Sequence, residues 1–243
     1  MITTVVFDVG ETLVDESRLW RRWADRLGVP AHVLFAVLGA VIERGEHHRR
    51  VFEILRPGFD PARIGFPDVF EACDLYPDAA LCLHALDRQG LRIGVAGNQP
   101  EGIEPALEGL PVDFVASSAR WKVEKPSPLF FQKLAEEAQA APGEIAYVGD
   151  RLDNDILPAL EAGMIAVFIR RGPWGYLHAR RPEIARAHLR IESLGELPEA
   201  LTVAQAFLPV CVTPPSEPSN TGRNACATRR DLMHRGGDDP ADA

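Results

Sequence analysis

The sequence predicts an α/β fold built on a doubly wound parallel sheet. Two observations carry that expectation. Short apolar runs recur along the chain and are continuous instead of alternating, as strands covered on both faces must be. Helical patterns fill the gaps between them, and βα alternation of this kind makes a parallel sheet with helices on both sides. The exception is the stretch from Val14 to Tyr76, which has helical periods and no convincing strand.

Taken in order, the expected strands are Thr3 to Phe7, Leu91 to Ala96, Phe114 to Ala116, Ile145 to Val148 and Ile165 to Ile169. Within the helical stretch, Leu19, Trp20, Trp23 and Leu27 share one face before Gly28. Val33, Leu34, Val37, Leu38 and Val41 do the same before Gly45. The two tryptophans belong to a packed face on that spacing. His47 and His48 are adjacent, so on a helix they point about 100° apart and cannot share a metal, which makes them surface residues. A later helix opens at Ser127, a capping residue with Pro128 at the first helical position, and stops before Pro142-Gly143. The expected division is therefore a Rossmann-like core over 1–14 and 77–204, a small all-helical cap over 15–76, and a disordered C-terminal tail over 209–243. That tail is rich in Pro, Ser, Gly, Asp and Arg, with little apolar periodicity.

Composition narrows the function classes. A net charge of −9 over 243 residues argues against phosphate-backbone binding, which needs a basic face, so no nucleic-acid partner is expected. The arginines of 18–26 and 49–50 read as solvated helix faces. Cys73, Cys82, Cys211 and Cys226 form no CxxC pair, which argues against a zinc site or disulfide framework and suits a reducing cytoplasm. No basic segment followed by a long apolar run opens the chain, so neither a signal peptide nor a membrane span is expected.

In an open parallel sheet the ligand crevice lies beyond the carboxyl ends of the strands. Four places there carry polar residues: Asp8 after the first run, Gly97-Asn98 after "RIGVA", Lys125 after "ASSARWKVE", and Gly149-Asp150 after "IAYV", with Asp155 following in "GDRLDNDI". Singly, each is an ordinary turn former or helix cap. Together they supply oxygen ligands for a hard cation, a fixed positive charge and a carboxylate nucleophile, the parts of a magnesium-dependent phosphoryl-transfer site.

These segments resemble the haloacid dehalogenase superfamily of hydrolases. "FDVGETL" stands as its first motif, "GVAGN" as its second, Lys125-Pro126 in "VEKPSPLFF" as its third and "VGDRLDND" as its fourth. The resemblance runs from about residue 2 to about residue 201, and it implies a helical cap inserted between the first two motifs. It also implies residue roles: Asp8 as nucleophile carrying an aspartyl-phosphate, and Lys125 holding the nucleophile and phosphoryl oxygens. Mg²⁺ would be bound through Asp8, the Gly10 carbonyl and Asp150, with Asp155 supporting the lysine or a metal-bound water. Backbone N–H groups around Gly97 and Asn98 would take the remaining phosphate oxygens. The implied activity is that of a phosphatase acting on a small phosphorylated metabolite.

Two departures bear on that activity. The family's phosphatases place a second aspartate two residues after the first, as general acid, and Gly10 stands there; the second motif normally ends in Ser or Thr, and Gly97 stands there. A positioned general acid contributes about 10² to 10⁴ in rate, so its loss slows alkyl phosphates most and good leaving groups least. Glu11, a water or the cap would have to supply the proton. A dehalogenase also lacks the second aspartate but does not keep the Gly149-Asp150 pair. An actin-like sugar kinase shares the "DVGET" glycine logic but not the later motifs. The remaining alternative is a catalytically weak or inactive relative that binds phosphate, metal or a partner.

Overall fold

A computed structural model describes residues 1–64, 70–100 and 102–207. The expected tail over 209–243 lies outside the described residues, as do Cys211 and Cys226. In chain order the elements are β1 (Thr4–Phe7), α1 (Ser17–Leu27), α2 (Ala31–Glu43), α3 (Arg50–Leu55), α4 (Pro61–Ile64), α5 (Ala79–Arg88), β2 (Arg92–Gly97), β3 (Phe114–Ser117), α6 (Ser118–Trp121), α7 (Pro128–Ala138), β4 (Ile145–Gly149), α8 (Leu157–Glu161), β5 (Ile165–Ile169), α9 (Gly172–His178), β6 (Leu189–Ile191) and α10 (Leu197–Phe207). The described strands make one parallel sheet in the order β3-β2-β1-β4-β5-β6. This is the Rossmann strand order, whose direction of winding reverses between β1 and β4.

The continuous apolar runs have the cause the sequence implied. Along β1, Val5 and Phe7 enter one layer with Ile93, Val95, Val148 and Val167, covered by Leu83 and Leu86 of α5 and Leu201 of α10. Val6 points the other way, with Tyr147 and Phe168, under Phe130, Phe131 and Leu134 of α7. Successive side chains thus bury in opposite layers, and both must be apolar. Each expected strand is found within one residue of its expected ends. The sequence reading did not anticipate β6: it has three residues at the sheet edge, its central Arg190 is exposed, and it leaves no apolar run to detect. Pro128 begins α7 as expected, but the Ser127 side chain makes no cap hydrogen bond, and the helix stops at Ala138, where Gln139 takes a left-handed φ of 53°.

Between β1 and β2 the described chain is helical apart from isolated bridges. α1 ends where Gly28, at φ 71°, turns its N–H back to the carbonyls of Ala24 and Asp25. Leu19, Trp20, Trp23 and Leu27 of α1 pack with Leu34, Leu38, Val41 and Ile42 of α2 and Val51 and Phe52 of α3. The ring of Trp23 meets Phe52 edge-on at 4.9 Å. One member of this core comes from far along the chain: Trp174 of α9, whose ring lies 6.5 Å from that of Trp20. The two ends of the helical segment lie side by side, Val14 bridging Leu75 and Tyr76 N–H donating to Leu13 O at 2.9 Å. Among the described residues no single helix is long and apolar enough to cross a membrane; α1 and α2 meet that test only as a pair, bent by 109°.

The histidine pair corrects an expectation. His47 and His48 lie in a turn, not on a helix, with rings 4.3 Å apart. Only His47 is exposed; His48 is half-buried, edge-on to Trp20 at 6.2 Å and Trp174 at 6.0 Å. Burial, then His47 and the cations of Arg151 and Arg49, lower the His48 pKa to about 3 against an opposing pull from Asp153. Its folded-state pKa lies below the unfolded value near 6.5, so the unfolded chain takes up the proton first and stability falls as pH drops through 6.5 toward 3. By pH 5 this costs about 1 to 2 kcal/mol. Denaturant midpoints of wild type and His48→Phe at pH 7 and pH 5 will show it, the variant losing less stability on acidification.

Candidate active site

The site forms at the reversal between β1 and β4. Asp8 is the first residue beyond β1, its N–H bonded to Val148 O at 2.9 Å, and Asp150 follows β4 in the same way. Lys125 comes in from the loop before α7, where Asn98 fixes it: Lys125 N–H donates to Asn98 Oδ1 at 2.7 Å and Asn98 Nδ2 donates to Lys125 O at 2.8 Å. The Lys125 ammonium is then enclosed by Asp8 Oδ1 at 2.7 Å, Asp155 Oδ1 at 2.6 Å and the Tyr147 hydroxyl at 2.9 Å. Tyr147 in turn donates to Ala96 O at 2.9 Å. All three ammonium protons are used, as a buried lysine requires.

Asp155 belongs to a π-helical turn, Leu152–Ile156, that opens α8. Its second oxygen accepts from the Arg151 N–H at 2.9 Å, so both oxygens are engaged within the protein. The glycine of the fourth motif is explained by contact: a Cβ on Gly149 would lie 2.5 Å from Asp155 Cγ. Asp150 differs from its neighbours. It is 1% exposed, and its Oδ2 is buried without a hydrogen-bond partner. One carboxylate oxygen from each of Asp8, Asp150 and Asp155 lies within 4.8 Å of the others.

Three carboxyls around one ammonium leave an excess of negative charge away from water. Burial opposes the charge on Lys125, but Asp155 and Asp8 outweigh it and hold the pKa well above the usual lysine value. Asp150 has no such partner: burial, then Asp155, Asp8 and Glu11, push its carboxyl well above the usual range. Burial likewise raises Asp155 to about 6 against the pull of Lys125. Oxygen donors that bear charge, with one orphaned oxygen among them, fit a hard divalent cation such as Mg²⁺.

At both glycine departures a neighbouring carboxyl occupies the space that a side chain would enter. Gly97 has an ordinary backbone conformation, yet a Cβ on it would collide with Asp8 Oδ1 and come within 3.0 Å of Gln99 Oε1. Asp8 thus leans into the space where a side chain at 97 would sit. At Gly10 the space is held by the carboxyl of Glu16. Glu16 precedes α1, and its Oε2 accepts from Trp20 Nε1 at 3.2 Å. Burial, then Glu11, push its pKa to about 8. Glu11, the sequence candidate for a replacement acid, is turned elsewhere. Its Oε2 accepts from Tyr76 OH at 2.5 Å, its backbone has φ 55°, and it packs where a Cβ on Gly172 would be.

The Asn98 side chain is spent on the Lys125 backbone, leaving only main-chain groups there for a ligand. Arg18, expected on a solvated helix face, is half-buried and paired with Asp74, its Nε donating to Asp74 Oδ1 at 2.6 Å. The sequence reading missed Tyr147, Glu16 and Arg151, whose guanidinium lies 4.9 Å over the Trp174 ring. Only Tyr147 left a signal, a hydroxyl inside a strand buried on both faces, which needs a partner.

The model of the haloacid dehalogenase-like hydrolase family matches residues 2–163. The chain belongs to this hydrolase family. Similar to it is the glyceraldehyde 3-phosphate phosphatase of Methanopyrus kandleri, 34% identical over 210 residues that cover 75% of this chain and 90% of the relative. The glyceraldehyde 3-phosphate phosphatase of Methanocaldococcus jannaschii is 29% identical over 204 residues, covering 72% and 87%. Among solved structures, a haloacid dehalogenase-like hydrolase from Bacteroides fragilis covers 81% of this chain and 100% of its own at 23% identity, with a TM-score of 0.60, a likeness of fold. As a hydrolase of this family, the chain places its strand-end acids and lysine in one buried cluster at the carboxyl edge of the sheet.

Proposed function

We propose that this hydrolase is a Mg²⁺-dependent phosphatase of small phosphorylated metabolites, working through an aspartyl-phosphate on Asp8. The observation that carries the reading is the orphaned Asp150 Oδ2 beside an Asp8 carboxylate already gripped by Lys125. A buried acid without a partner is costly unless a cation completes it. Asp8, the Gly10 carbonyl and Asp150 would hold the metal, with Asp155 positioning Lys125. When bound, the metal supplies neutralisation of phosphate charge.

The chain's own groups account for the rest. Lys125 keeps one Asp8 oxygen fixed, which leaves the other to attack phosphorus. Main-chain N–H groups around Gly97 and Asn98 would receive phosphoryl oxygens. The helical segment 15–76 would act as a cap whose side chains choose the substrate. The phosphatase names of the relatives over most of their length support a small phosphate ester as substrate. The free thiols of Cys73 and Cys82 fit work in the cytoplasm.

Phosphate release from three-carbon phosphate esters, with and without Mg²⁺, tests this reading. Absence of metal-dependent release from these and from acyl phosphates would favour a binding role. The metal site has its own readout. Mg²⁺ at one hundred times its Kd should stabilise the protein by about 2.7 kcal/mol, about 5 to 10 °C in Tm. Asp150→Asn should lose that response, and in EDTA it should melt above wild type, because the amide replaces an acid whose ionised form burial disfavours. An undiminished Mg²⁺ shift in the variant would remove Asp150 from the metal site.

A further inference from the structure

The resemblance places a general acid at position 10, and Gly10 has no side chain. Conformation does not demand glycine there, since its φ lies outside the left-handed region. Space does. A Cβ on Gly10 would run into Glu16 Oε1 and stand 2.8 Å from Glu16 Cδ. The Glu16 carboxyl therefore fills the volume in which a side chain at position 10 would begin, two residues from Asp8. Its other oxygen is held by Trp20 Nε1 at 3.2 Å, and the Trp20 ring rests among Trp174 and His48, so the carboxyl is positioned by the core of the helical segment. Glu11 is not a rival for the place, because Tyr76 OH holds it at 2.5 Å.

We propose that Glu16 is the proton donor and acceptor of the phosphoryl-transfer cycle, reaching from the start of α1 into the space left open at Gly10. The proposal rests on the aspartyl-phosphate reading above. In the first step an Asp8 carboxylate oxygen forms a bond to phosphorus and the bond from phosphorus to the ester oxygen breaks. The electron pair stays on that oxygen, which takes the proton of the Glu16 carboxyl and leaves as an alcohol. In the second step the Glu16 carboxylate takes a proton from water as the water oxygen bonds to phosphorus. The bond from phosphorus to Asp8 breaks, returning the Asp8 carboxylate, inorganic phosphate and protonated Glu16. Glu16 lies six positions after Gly10 in the sequence, and the chain's return at the start of α1 supplies the acid.

The test compares kcat/KM, with Mg²⁺, for 4-nitrophenyl phosphate and for a panel of three-carbon alkyl phosphates. Glu16→Gln keeps the size and one acceptor of the side chain. It should lower the alkyl values at least about 100-fold and the aryl value less than about tenfold, because a good leaving group needs little protonation. Restoring an acid at position 10 in Glu16→Ala, as the Gly10→Asp/Glu16→Ala double variant, should raise alkyl turnover at least about tenfold over Glu16→Ala alone. Equal losses on both esters overturn the proposal, as does a wild type that cleaves the aryl ester and none of the alkyl panel. A double variant no faster than Glu16→Ala also counts against it. Asp8→Asn separates the two readings. If it retains turnover of either ester, the aspartyl-phosphate reading fails; if it is inactive while Glu16→Gln shows equal losses, only the role of Glu16 fails.

Discussion

Asp8→Asn is expected to lower kcat/KM for Mg²⁺-dependent phosphate release by at least about 1,000-fold, or about 4 kcal/mol in the barrier, with the fold intact. The amide matches the carboxylate in size but offers no anionic oxygen to attack phosphorus. The variant also removes one of three carboxyls packed within 4.8 Å of each other, so it relieves repulsion on Asp150 and Asp155. Lys125 keeps Asp155 and Tyr147 as partners. Thermal melting in EDTA should therefore show Asp8→Asn no less stable than wild type. Activity lost together with a Tm fall of more than a few degrees would point to unfolding instead, and retained activity would remove Asp8 as nucleophile.

Lys125→Met should cost about 3 to 5 kcal/mol of metal-free stability, the range for stripping the counter-charge from a buried ion pair. Methionine matches the length of the lysine stem, so the loss comes from charge and not from a cavity. Asp8 Oδ1 and Asp155 Oδ1 would each lose an ammonium hydrogen bond, and the Tyr147 hydroxyl would lose a donor. The loss should depend on pH. With the lysine present Asp155 already sits at about 6, raised by burial, and without that cation its folded-state value rises further. A carboxyl raised in the folded state contributes stability below its unfolded value and loses it as pH rises. The penalty should therefore be larger at pH 8 than at pH 5.5 in denaturant titrations without metal. A penalty below about 1 kcal/mol at both pH values would mean that the cluster does not need Lys125.

Five of the six described strands and the address of the site were legible in the sequence. Val5, Val6 and Phe7 must all be apolar because both faces of β1 are covered, and such runs are legible without any partner being known. The rule that ligands gather beyond strand ends then picked out Asp8, Lys125, Asp150 and Asp155, and the structure brings these four together. It also left Gly10 and Gly97 as unexplained gaps. What fills them comes from contacts across the fold: Asp8 leaning against Gly97, and Glu16 arriving at Gly10 from the start of α1. The same holds for Tyr147 as a partner of Lys125, for Trp174 in a core whose other buried members run from Leu19 to Phe52, and for His48 drawn in beside it. The reason is physical. Helix and strand periods are set by neighbours a few residues away and survive in a linear string, whereas a side chain filling the volume beside a distant residue leaves no period at all.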